Sequence, residues 1–132
     1  MQDRDLVGYG ANPPRVRWPG DARVAISLVV NYEEGSENLL QDGIGRREMT
    51  GESPSPLPPD RRDLATESFF EYGSRAGIWR FFRIFRKYGV RATIFACAVA
   101  LERNPSVARA ITDEGHDVCG HGNCCQGLQR TH

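Results

Sequence analysis

Hydrophobic and polar positions alternate between three textures along the chain. Residues 23–32 (RVAISLVVNY) are rich in β-branched side chains and hold the chain's longest apolar run, Val24 to Val30, broken only by Ser27. That pattern predicts a strand buried on both faces, as in a parallel sheet. Residues 74–89 switch to helical spacing. Ile78, Phe81, Phe82, Phe85 and Tyr88 form one stripe, while Arg80, Arg83, Arg86 and Lys87 hold much of the opposite face. Ser74 is the expected N-cap and Gly89 the expected C′ residue. The basic residues fall in the last turns, where the helix dipole favours them. Residues 91–96 predict a second short strand. Asn104 and Pro105 read as N-cap and N1 of a helix running through Glu114 and closed by Gly115. Residues 116–119 predict a third strand that runs into Gly120, His121 and Gly122. Strand, helix, strand, helix, strand is a βαβ order, hence an α/β fold with parallel strands and right-handed crossovers.

The rest is less regular. Residues 1–22 are turn-rich and without period. Residues 33–68 open with Glu33, Glu34 and Glu37 and continue as a long irregular segment. Its prolines, Pro54, Pro56, Pro58 and Pro59, exclude helix and central strand from residues 53–59. Residues 123–132 hold one large aliphatic side chain, Leu128, and no period. The expected division is therefore residues 1–122 as one folded unit and 123–132 as a divergent tail.

Charge narrows the function classes. Seventeen basic and seventeen acidic side chains give a net charge of zero. A nucleic-acid or membrane-surface binder would carry a basic excess, so neither partner is expected. The first five residues lack the basic and apolar regions of a leader. The longest apolar run is far short of the ~20 residues needed to span a bilayer. A cytoplasmic protein with reduced thiols is the expectation. The four cysteines contain no C-x-x-C pair, which disfavours a zinc ribbon. No P-loop, dinucleotide fingerprint or G-x-S-x-G elbow occurs.

In parallel α/β folds the reactive groups gather at the C-terminal ends of strands. Two ends here carry suitable chemistry. Glu33 and Glu34 follow the first strand, and His121, between two glycines, follows the third. All three are expected on one rim. Adjacent carboxylates leaving a strand point in different directions, so one can act as base while the other binds substrate or metal. Crowding also tends to raise the pKa of one of them. The plain alternatives are a polar loop start for the glutamates and a loop residue for His121. Cys125 lies four residues after His121 and could share a metal with it if that segment were helical; ordinary thiols are the simpler reading. Cys97 follows a buried strand and reads as a small core residue. His116 and His132 are given no role.

The segments RDLVGYG (4–10), WPG (18–20), NYEEGSE (31–37), EYGSRAG (71–77) and GHG (120–122) together resemble the polysaccharide-deacetylase superfamily. Its NodB-homology fold is a distorted (β/α) barrel. The closer match resembles the allantoinase-type branch linked to urate catabolism. A complete eight-stranded barrel needs roughly 250 residues, so the resemblance implies a partial barrel with its C-terminal half missing. On that basis the isolated chain is expected to be marginally stable, prone to aggregate and weak or inactive.

In metal-dependent members of the superfamily the first strand ends in two aspartates, a base and then a metal ligand. By position Glu33 matches the base and Glu34 the ligand. The second motif has two histidines four apart; His121 matches the first, and Cys125 stands in place of the second. The allantoinase-type branch also departs from that triad and is regarded as metal-independent. The resemblance therefore implies metal-free hydrolysis of a non-peptide C–N bond, opening a cyclic amide such as allantoin to allantoate. Glu33 and His121 would be catalytic, and Glu34 and Arg75 would bind a small amide or ureide substrate. Arg75 could equally form an ion pair with Glu71. No cofactor is expected. A divalent metal such as zinc is the alternative, with Glu34, His121 and Cys125 as its ligands. Self-association as a homo-oligomer is left open. The rival readings are a metal-dependent carbohydrate N-deacetylase and a non-catalytic fragment.

Overall fold

The computed structural model describes residues 4–49 and 55–122. Three parallel strands, β1 (Val29–Tyr32), β2 (Thr93–Ala96) and β3 (Asp117–Gly120), form one sheet in the order β1-β2-β3. Val29 pairs with Thr93, and Thr93 with Asp117. Tyr32, Ala96 and Gly120 therefore end the three strands at one level.

A long helical stretch links β1 to β2. It comprises α1 (Leu64–Tyr72), a π-helical turn (Gly73–Gly77) and α2 (Ile78–Tyr88). Two further helices, α3 (Ala98–Arg103) and α4 (Pro105–Asp113), link β2 to β3. Both crossovers are helical, as parallel pairing demands. The core lies between one sheet face and these helices. Tyr32, Ile94 and Ala96 meet Ile78, Phe82 and Phe85 from α2 and Val107 and Ile111 from α4.

The α4 boundaries match expectation. The Asn104 side chain accepts the Val107 N–H, Pro105 opens the helix, and Gly115 follows with φ 69°. Gly89 likewise ends α2 in the left-handed region, φ 62°.

Four expectations are corrected. The predicted ten-residue strand shrinks to Val29–Tyr32, because only those residues find a paired neighbour; Val24 and Ile26 are 68% and 80% exposed. β1 is also not buried on both faces, since Val29 and Asn31 are exposed while Tyr32 is buried. Ser74 is not an N-cap. The helix starts at Leu64, where the Asp63 carboxylate accepts the Ala65 and Thr66 N–H groups, and Ser74 lies inside the π-helical turn. The irregular segment thus ends at Asp63 rather than residue 68. Helix α3 was not signalled by periodicity, being only six residues long. No described helix is long and apolar enough to cross a membrane.

Candidate functional site

Each strand hands its chain to the rim at the same level. The Cys97 N–H donates to the Tyr32 carbonyl at 3.0 Å, and the His121 N–H donates to the Ala96 carbonyl at 3.0 Å. The parallel ladder thus continues one residue beyond the strands and places Glu33, Cys97 and His121 side by side. Glu33 Oε1 lies 2.8 Å from His121 Nε2, with both side chains 38% exposed. That is charge-assisted hydrogen-bond distance in a site that water and a substrate can enter. The Phe95 ring supports the imidazole edge-on, with centroids 6.1 Å apart. The buried Cys97 thiol donates to the His121 carbonyl at 3.4 Å, which fits the small core residue expected there.

Glu34 turns the other way. One of its oxygens accepts the Glu33 N–H at 3.2 Å, and the rest of the side chain lies flat on Gly73. A Cβ at Gly73 would meet Glu34 Oε1 at 2.5 Å and Cγ at 2.6 Å. Gly73 opens the π-helical turn, a device common at functional sites. Glu34, Tyr32, Phe69, Phe70 and Phe81 line a largely apolar cleft of about 480 Å³ that runs between β1 and the long helix. Neither Glu33 nor His121 lines it. Asn31 does, and by strand alternation it also shares a sheet face with Glu33.

The loop after β1 is held from behind. Arg103 Nη1 donates to the Gly35 carbonyl at 2.8 Å and pairs with Asp42 Oδ2 at 3.1 Å. The Glu37 carboxylate accepts the Gly35 N–H. Burial pushes Glu37 above the usual carboxylate range, with Glu34 adding to the rise and hydrogen bonds to backbone N–H groups opposing it. Burial also raises the Tyr32 phenol, with Asn104 opposing and the Glu34 and Glu37 charges adding to it. Asn104 Nδ2 donates to the Ser74 carbonyl at 3.3 Å, tying the start of α4 to the π-helical turn. Sequence reading missed Arg103, Asn104 and Gly73. Asn104 was legible only as a cap; Gly73 was legible only as part of EYGSRAG.

Of the predicted residues, the structure brings Glu33 and His121 together. It sends Glu34 to the neighbouring cleft. Arg75 stays outside both, 78% exposed and paired with Glu71 at 3.3 Å, which is the ion-pair alternative weighed for it. Cys125 lies outside the described residues. His116 is buried: its Nδ1 accepts the Ala92 N–H at 3.2 Å, and its ring stacks on Phe82. It has a packing role.

A catalytic zinc takes three protein ligands and an open position. Among the described residues no three His, Cys, Asp or Glu side chains converge. Glu34 and His121 face apart, so the donors described here do not form a metal cradle.

The polysaccharide deacetylase family profile matches residues 63–131. The chain belongs to the polysaccharide deacetylase family. It is 39% identical over 126 residues to a putative polysaccharide deacetylase of Schizosaccharomyces pombe, covering 92% of this chain and 39% of that protein. Among solved structures, a PuuE allantoinase superposes with TM-score 0.81 at 43% identity, covering 100% of this chain and 44% of that one. A probable polysaccharide deacetylase from Pseudomonas aeruginosa gives TM-score 0.81 at 44% identity, covering 99% and 44%. The fold is thus the α/β deacetylase type, and this member spans less than half the length of these relatives.

Proposed function

We propose that this deacetylase-family chain carries the hydrolytic centre of an allantoinase-like enzyme, opening a cyclic amide or ureide without a metal. The observation that carries the reading is the 2.8 Å Glu33–His121 pair on the rim of the parallel sheet. The 43% identity to the PuuE allantoinase structure supports the choice of substrate.

In this mechanism Glu33 takes a proton from water as the water oxygen attacks the ring carbonyl. The protonated Glu33 carboxyl returns the proton to the ring nitrogen as the C–N bond breaks, leaving a carboxylic acid and a free ureido nitrogen, while the His121 Nε2–H holds the carboxyl group in place. Glu34 holds the Glu33 backbone through its N–H, fixing where the base stands.

The second reading, a metal-dependent N-deacetylase, is favoured by the family profile and by the description of the fission-yeast relative. Turnover separates the two. Any allantoin turnover, weak as it is expected to be in the isolated chain, should persist in the presence of chelator, and Glu33→Gln should lower that rate by about 10²–10⁴. Acetate release from N-acetylated chitooligosaccharides that stops on adding chelator would replace this reading with the second. Unchanged allantoin turnover in Glu33→Gln would remove Glu33 as the base.

A further inference from the structure

We propose that Asn31 selects the substrate. Its carboxamide pairs with an N–H and C=O presented on the same edge of a ring, so the site takes cyclic amides and ureides with a free ring N–H. This rests on the Glu33–His121 rim being the hydrolytic centre.

Asn31 stands two residues before Glu33 on β1, about 6.6 Å down the strand on the same sheet face. Its sheet neighbours in register are Phe95 and Cys119. Phe95 is the ring that supports His121. The floor beneath the pair is therefore one amide, one aromatic ring and one thiol. Asn31 is exposed, and among the described residues its carboxamide has no hydrogen-bond partner.

Several other polar side chains of the adjoining cleft already hold a partner. Thr66 donates its hydroxyl to Asp63, the Tyr72 hydroxyl accepts from Arg80, and Glu34 accepts the Glu33 N–H. The Tyr32 hydroxyl also lines the cleft and is buried without a hydrogen-bond partner. Asn31 is the exposed side chain of this group that shares a sheet face with Glu33, and it is neutral, with one acceptor and two donors.

Geometry then sets the ligand class. A carboxamide offers its C=O and N–H side by side, and two hydrogen bonds form when the ligand does the same. A lactam or hydantoin ring holds its amide cis and presents both groups on one edge. An open-chain secondary amide is trans, with N–H and C=O on opposite sides. The N-acetyl group of a sugar is of that second kind and can engage Asn31 through only one bond.

The test is calorimetric binding of hydantoin, its N,N′-dimethyl derivative and N-acetylglucosamine to the full chain. Hydantoin is expected to bind roughly tenfold or more tightly than either of the others. Asn31→Leu, of similar size, should erase that advantage. Asn31→Asp should erase it too, because a carboxylate cannot donate. The exposed position makes both variants compatible with folding, checked by near-UV circular dichroism. N-acetylglucosamine binding as well as hydantoin, an advantage that survives both substitutions, or no hydantoin binding would each overturn the inference. The measurement is binding, so it separates from turnover. A chain that prefers hydantoin yet hydrolyses nothing refutes the hydrolytic reading and keeps Asn31's role. A chain that hydrolyses allantoin without the binding preference refutes only the role of Asn31.

Discussion

On one face of the sheet Tyr32, Ile94 and Ala96 are sealed beneath α2 and α4. On the other, Asn31 is exposed and Phe95 and Cys119 are half-buried. The same three strands supply both faces, and adjacent residues belong to opposite ones. The packed face holds the core, and the open one carries the proposed chemistry. The rim pair Glu33–His121 continues the open face, while Glu34 follows Tyr32 toward the helices. Two adjacent glutamates therefore have different surroundings because strand alternation parts them.

Replacing a phenylalanine on each side breaks this contrast most directly. Phe82 is fully buried, edge-on to Trp79 and stacked on His116. Phe82→Ala should destabilise the chain by about 3–5 kcal/mol, read from the midpoint of denaturant unfolding. Phe95→Ala removes a half-buried ring and should cost clearly less, while loosening the support of His121. Equal losses would show that the open face is as structural as the packed one.

A smaller effect is expected where Glu34 meets the long helix. Gly73→Ala places a methyl group against the Glu34 side chain and should cost about 1–3 kcal/mol, the range for overpacking. Combining it with Glu34→Ala should recover most of the loss. No recovery would mean that the glycine serves the π-helical turn itself rather than the close approach of Glu34.

The smallest effects concern pH, and two carboxylates carry opposite signs. The Arg62 guanidinium holds Glu67 below its ordinary value of 4.5, with Gln41 helping and burial opposing. Its contribution is present above 4.5 and is lost as pH falls through its lowered value. Burial lifts Glu37 above 4.5, so its contribution is present below 4.5 and is lost as pH rises through its raised value. Glu67→Gln should therefore flatten the acid limb of a stability–pH curve. Glu37→Gln should flatten the opposite slope above 4.5. The same change of slope from both variants would contradict this assignment.

The sequence by itself determined the local features. Asn104-Pro105 opens α4, Gly89 and Gly115 close their helices, and Ile78, Phe82 and Phe85 of the α2 stripe face the core while Phe81 and Tyr88 stay exposed, because caps and periodicity act within a few residues. It also marked Glu33 and His121 as rim residues, since the βαβ order sets which strand ends share an edge. Boundaries that depend on a distant partner were not legible. The apolar residues 24–28 read as strand, yet a strand exists only where a neighbour offers its ladder, and β2 reaches Val29–Tyr32. Asp63 rather than Ser74 starts the long helix, because a glycine pair at 73 and 77 is absorbed by a π-helical turn that periodicity does not reveal. The tertiary structure alone decided that Glu33 meets His121, that Glu34 turns onto Gly73, and that Arg75 stays with Glu71. The reason is physical: strand register and side-chain alternation fix which groups face one another, and both are set by pairing between segments far apart in the chain.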